Sequence, residues 1–90
     1  MFNPVKLLGE VMSLAYLVNQ NTDYCIFVSY SGHVNLLEVS IFPSKEEYQS
    51  EKRLYRSDIY LDDKRDIKSK KLLLEIKSTL ESYLYPRLEE

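Results

Sequence analysis

Apolar residues recur every three to four positions near both ends of this 90-residue chain and alternate through its middle. From Pro4, which suits a first helical turn, the residues Leu7, Leu8, Val11, Leu14, Ala15 and Val18 fall on one stripe at about 100° per residue. The pattern predicts a helix to Val18 or Asn19, with Asn3 placed to cap it. Val5, Met12 and Tyr16 widen the stripe, so more than half of the helix is apolar. That width predicts a helix sandwiched in the core or packed against another subunit. Lys6 and Glu10 stand four apart and are placed to pair on the wet side. "NQNTD" then reads as the end of the helix.

Between Tyr24 and Phe42 the period drops to two. Ser31-Gly32 predicts a two-residue hairpin turn, with Gly32 taking the positive φ. That register sets Tyr30 opposite His33, Val28 opposite Asn35, Phe27 opposite Leu36, Ile26 opposite Leu37 and Tyr24 opposite Val39. Tyr24, Ile26 and Val28 then share a core face with Leu37, Val39 and Ile41. The other face carries Cys25, Phe27, Ser29, Val34, Leu36, Glu38 and Ser40, with Phe27 and Leu36 as its apolar centre.

Pro43 stops the second strand, and "SKEEYQSEK" is a polar connector with room for a turn of helix. "RLYRSDIYLDD" reads as a third strand, with Tyr55, Ser57, Ile59 and Leu61 inward and Leu54, Arg56, Asp58 and Tyr60 outward. Asp63 or Asp66 caps a closing helix that ends near Tyr85, since Pro86 forbids continuation. Leu73, Ile76, Leu80, Tyr83 and Leu84 line its apolar stripe, with Leu72 at the edge. The expected architecture is one α+β domain over residues 1–90. It is a two-layer α-β-β-β-α fold, with a three-stranded antiparallel sheet and both helices on one face.

The composition, 44% hydrophobic and 29% charged, is that of a folded protein rather than a disordered one. A chain this short has a small core, which brings self-association into consideration. A net charge of -2 supplies no general attraction to nucleic acid. The single Cys25 excludes an intrachain disulfide or a multi-cysteine metal site and fits a reducing compartment. The apolar run at the start is too short and too polar to span a membrane, so a cytoplasmic protein without membrane contact is expected.

Catalytic chemistry finds little support. His33 is the only histidine, which leaves no His/Cys cluster for zinc and no nucleophile elbow to serve. Asp58, Asp62, Asp63 and Asp66 lie within nine positions and are the acids a metal-dependent hydrolase would use. They lack the glycine of a calcium loop, and they sit where acids cap helices and break strands. The expectation is a non-enzymatic protein without metal or cofactor.

Two surfaces carry the binding hypotheses. From Lys52 to Lys71 there are eight bases against four acids. Lys64, Arg65, Lys68, Lys70 and Lys71 gather at the start of the last helix, where cations oppose the helix dipole and invite an anionic partner. The leading surface is instead the second sheet face: Phe27, Val34, Leu36, Leu54, Arg56 and Tyr60, with Arg56 and Glu38 to set register. Eight tyrosines add contact area, and Tyr16, Tyr48, Tyr60 and Tyr85 are hard to bury together. The partner expected there is a protein, a second copy of the chain included. A nucleic acid at the basic helix start is the alternative.

The element order, with "NPVKLLGEV" at the start and "SKKLLLEIKSTLESYL" at the end, resembles double-stranded RNA-binding domains. That likeness implies contacts from the first helix, the first hairpin loop and a lysine pair, by position Glu10, His33, Lys70 and Lys71. The chain departs from the pattern: "YLDDKRDI" stands where a glycine-rich stretch is usual, and "LLLEIKSTL" where alanines are. The chain is also similar to small, functionally unassigned proteins of phages and mobile elements in low-GC Gram-positive bacteria, through "YSGHVNLLEVSIFP" at Tyr30 to Pro43. That second likeness implies a cytoplasmic helper or regulator and no particular activity.

Overall fold

A computed structural model of the chain describes residues 3–47, 53–61 and 66–84. Helix α1 spans Val5–Asn21, β1 Cys25–Ser31, β2 Leu36–Phe42, β3 Tyr55–Tyr60 and α2 Asp66–Leu84, with a short 3-10 turn at Lys45–Glu47. The strands form an antiparallel meander in the order β1-β2-β3. Val11, Leu14, Ala15 and Val18 of α1 join Leu73, Ile76 and Leu80 of α2 in a single core with Ile26, Leu37, Val39, Ile41 and Ile59. Those five sheet residues all lie on one face, so both helices cover that face and neither packs on the other. The expected α+β arrangement is the observed one. Ser57, small and inward, is buried beneath the helices.

The ends of α1 follow from short polar side chains. The Val5 N–H donates to Asn3 Oδ1 at 3.0 Å, the cap the sequence suggests. At the other end α1 runs past Asn19 to Asn21. Asn21 Nδ2 donates back to the Leu17 carbonyl, and the Thr22 hydroxyl and N–H both donate to that of Val18. "NQNTD" therefore supplies partners for the last open carbonyls and extends the helix by a half-turn.

The hairpin differs from the expected one. Its turn is Gly32 to Asn35, and Asn35, with φ 52°, is the described residue that takes the positive φ. Asparagine tolerates that region better than most residues, and here its side chain is also used. Tyr30 Oη donates to Asn35 Oδ1 at 2.6 Å, and Asn35 Nδ2 donates to the Leu61 carbonyl at 2.9 Å. Asn35 also accepts from the Leu61 N–H, so one residue ties the hairpin to the end of β3. The register moves accordingly: Ile26 faces Ile41 rather than Leu37, a slip of four positions. An even slip preserves which side chains point inward, so the core face survives while the pairings change. Phe27 faces Ser40 and Leu36 faces Ser31, which undoes the direct Phe27–Leu36 pair.

Other expectations on α1 are revised. Val5, Met12 and Tyr16 do not enter the core but stay exposed on its flank. Glu10 pairs not with Lys6 but with Lys77 of α2, an ion pair that bridges the helices. Lys77 reaches Glu10 because α2 packs along that side of α1, whereas Lys6 is exposed to solvent.

Each helix also closes one edge of the sheet. Asn19 Nδ2 donates to the Ile26 carbonyl at 3.1 Å, and Asn19 Oδ1 accepts from the Ile26 N–H at 2.8 Å. The amide side chain thus pairs with the outer edge of β1 as a strand would. On the far edge, the Ser69 hydroxyl of α2 donates to the Tyr60 carbonyl.

Candidate functional site

The face away from the helices is ordered by the strand register. Phe27, Ser40 and Arg56 form one row across the sheet; Ser29, Glu38 and Asp58 form the next; Ser31, Leu36 and Tyr60 form the last. Phe27 and Leu36 are therefore separated along the strands by the four residue steps from Ser40 to Leu36, about 13 Å at about 3.3 Å per residue. The face has no continuous apolar centre. It has two apolar ends with a charged band between them.

At one end Phe27 meets Phe42 edge-on, ring centroids 5.7 Å apart and planes at 89°. Arg53 lies over Phe42 at 5.8 Å, and Leu54, 53% exposed, stands beside them. Phe42 is buried on this face and was missed by the sequence reading, although its parity with Leu36 and Ser40 marks it. At the other end lie Leu36 and Tyr60, with Val34 exposed in the turn rather than in the strand. In the band, the Arg56 guanidinium bonds both carboxylate oxygens of Asp58 at 3.3 Å. Glu38 sits directly opposite Asp58. Two carboxylates against one guanidinium leave the band with a net negative charge. Phe27 remains 45% exposed and Tyr60 43%.

The basic candidates are only partly described. Lys68, Lys70 and Lys71 are exposed on the first turns of α2, and Lys64 and Arg65 lie outside the described residues. Lys70 and Lys71 share a ridge with Ile67, Leu74 and Ser78 that faces away from the core, whereas Lys68 lies on another flank beside Asp58 and Tyr60. The RNA-binding resemblance implies contacts from the first helix, the hairpin turn and the start of the last helix. Pro4, just before α1, and Gly9 within it line a groove with Tyr30, Asn35 and Leu61 beside the hairpin turn, and Ser69 near the start of α2 bonds Tyr60. Their chemistry diverges from the expectation, because Glu10 turns toward α2. His33 is exposed in the turn.

Of the clustered acids, Asp58 is committed to Arg56, Asp66 begins α2, and Asp62 and Asp63 lie outside the described residues. Among the described residues no group of three His, Cys, Asp or Glu side chains is placed to hold a metal ion. No helix among them is long and apolar enough to cross a membrane. Cys25 is half-buried in β1.

The titration shifts are structural. The hydrogen bond from Lys77 holds the Glu10 carboxyl below its ordinary range; partial desolvation opposes this, and the charges of Lys77 and Lys6 add to it. The same bond raises the Lys77 ammonium. Tyr83, stacked on Tyr24 at 4.3 Å, is raised by burial first and by Tyr24 second.

A groove lies between α1 and the hairpin end of the sheet, with Val28 and Tyr30 of β1 on one side. It measures about 490 Å³ and is lined by apolar side chains and Asn35, with Leu8, Met12, Val28 and Tyr30 along its mouth. Tyr30 and Met12, which widens the apolar stripe of α1, are 56% and 54% exposed. Comparison of the chain with family models, with curated proteins and with solved structures gives no match.

Proposed function

We propose that the chain is a non-enzymatic protein-interaction module that docks its partner on the helix-free face of the sheet. The observation behind this reading is the layout of that face. Phe27 and Leu54 at one end and Tyr60 at the other keep 43–53% of their surface in water, although both helices and the main core cluster lie on the opposite side and Phe42 alone of the buried apolar residues described lies on this one. Large apolar side chains left in solvent at two ends of a flat sheet suit anchor contacts. The acidic band between them favours a partner with a lysine or arginine flanked by apolar residues about 13 Å apart. Apolar burial supplies the affinity and the charge sets the register. A reducing, cytoplasmic setting fits the single cysteine.

The test is selection of displayed random peptides on the immobilised chain. Enriched peptides should carry a central base between apolar residues and should lose binding to Phe27→Asp and Tyr60→Asp, with folding checked by circular dichroism. Peptides that bind folded versions of both variants as well as the original chain would remove the assignment.

A further inference from the structure

The exposed rim of β1 is a second surface, separate from the face above, and its chemistry selects a particular partner. In an antiparallel ladder alternate residues turn their N–H and C=O to opposite sides. Ile41 offers its carbonyl to Leu54 on the β3 side, so its β1 neighbour Ile26 points outward, where Asn19 pairs with it. Val28 and Tyr30 have the same parity, so their backbone groups also point away from β2. Ile26 is closed by Asn19, and the turn begins at Gly32. The open edge is therefore two residues long.

Beyond Asn19 at Ile26, no charge or proline among the described residues of this edge guards it. β1 reads CIFVSYS, without a charged residue or a proline, whereas the outer strand β3 carries Arg56 and Asp58 and is met by Ser69. Charges and proline are the usual protection of an edge strand against pairing. The neighbouring flank of α1 is equally bare. Val5, Gly9, Met12 and Tyr16 follow one another at helical spacing on the side of α1 roughly opposite Glu10, which faces α2. Met12 is 54% exposed and Tyr16 63%. This stripe and the β1 edge look the same way, away from α2, with the apolar groove between them.

We infer that this rim is the interface of a symmetric dimer, in which β1 pairs antiparallel with β1 of a second copy about a two-fold axis at Ser29. Three observations favour a second copy over any other strand. A two-fold at Ser29 sets Val28 against Tyr30 of the other copy and Tyr30 against its Val28, so the two-residue open edge meets an open edge of identical length. A two-fold contact sets the same patch against itself, and the described residues of this rim carry no charge to repel the second copy. The strand pairing also brings the two α1 stripes together, which covers Met12 and Tyr16. Tyr30 of the second copy then lies along the apolar groove, and Val28 with Tyr30 is a favourable cross-strand pair.

Ser29 provides the test. Across the axis the two copies of Ser29 form a non-hydrogen-bonded pair with Cα atoms about 4.5 Å apart, close enough for a disulfide between cysteines. In a Cys25→Ser background, Ser29→Cys should oxidise to a covalent dimer, and Ser31→Cys, displaced from the axis, should not. Sedimentation of the unmodified chain at about 100 μM should give twice the 10.7 kDa monomer mass. Ser29→Lys, which opposes two ammonium groups at the axis, and Met12→Glu should each raise the dissociation constant at least ten-fold while circular dichroism stays unchanged. A monomeric unmodified chain overturns the inference. So does a dimer that persists in folded Ser29→Lys, or a cross-link that forms equally at Ser31→Cys. A dimer abolished by Phe27→Asp but untouched by Ser29→Lys places self-association on the helix-free face and likewise overturns it.

Discussion

Replacing Asn19 with alanine removes both hydrogen bonds that hold the end of α1 to the edge of β1. Each such bond contributes about 0.5–1.5 kcal/mol net. Asn19 is half-buried, so water only partly replaces it at Ile26. Against this loss, alanine in a helix is better than asparagine by about 0.5 kcal/mol. The first effect wins, and Asn19→Ala should lower the stability by about 1–2 kcal/mol. For a domain of this size that corresponds to a fall in melting temperature of at least about 4 °C. Asn19→Asp keeps an acceptor for the Ile26 N–H but loses the donor to its carbonyl. It also sets a carboxylate beside the negative end of α1, so it should cost at least as much at pH 7. Urea denaturation of the three proteins gives the free energies, and amide exchange at Ile26 reports the contact itself. If both variants unfold within about 0.3 kcal/mol of the original, below the net value of even one hydrogen bond, Asn19 does not clamp the edge and the two-residue open window loses its boundary.

Two further outcomes follow from the turn and the helix pair. Gly32 has no positive φ, and a Cβ there would meet only Tyr30 Cε2 at an ordinary 3.8 Å, so Gly32→Ala should leave the melting temperature unchanged or raise it. Asn35→Ala, which loses the bonds to Tyr30 and Leu61 and strains a positive φ, should cost about 1–3 kcal/mol; the reverse ranking would mean that glycine governs the turn. The Glu10 carboxyl is lowered, so its contribution is present above the ordinary value of 4.5 and is lost as pH falls through the depressed folded value. Lys77 is raised, so its contribution is present below 10.5 and is lost only as pH rises through the elevated folded value. Urea midpoints should therefore separate Glu10→Gln from the original at pH 7 and converge at strongly acid pH; an equal gap at both would exclude the pair as its source.

The fold was readable because its signals are periodic. Leu73, Ile76 and Leu80 follow the helical repeat, and all three are fully buried. The inward residues of the strands follow the two-residue repeat, which an even register slip cannot disturb. The surface was less readable, because it depends on register itself. "SG" is a strong turn signal, but Asn35 offers a positive φ together with two side-chain bonds, one of them to Leu61, 26 positions away. No local pattern contains that partner. The slip it brings separates Phe27 from Leu36 and puts Glu38, Arg56 and Asp58 between them. The width of the α1 stripe fits either a sandwiched helix or one packed against another subunit. Only the placement of α2 on the Glu10 side shows that one helix cannot cover both flanks of another.

The two sheet edges receive unequal treatment, and that inequality bears on where the apolar residues of a small protein go. A chain of this size cannot hide all its large side chains in one two-layer core, so the position of those left outside is informative. Along β3 the exposed positions include Arg56 and Asp58, and α2 supplies Ser69 to the edge. Along β1, among the described residues, Asn19 guards the edge only at Ile26. Beyond it come Val28, Tyr30 and the Met12–Tyr16 flank of α1, none charged. Exposed apolar residues also stand elsewhere, Leu54 and Tyr60 at β3 and Ile67 and Leu74 on α2, but there they alternate with exposed charges such as Arg53, Arg56, Asp58, Lys70 and Glu75. The uncharged run along the β1 edge, with the helix flank above it, is the pattern of a surface suited to contact with another strand.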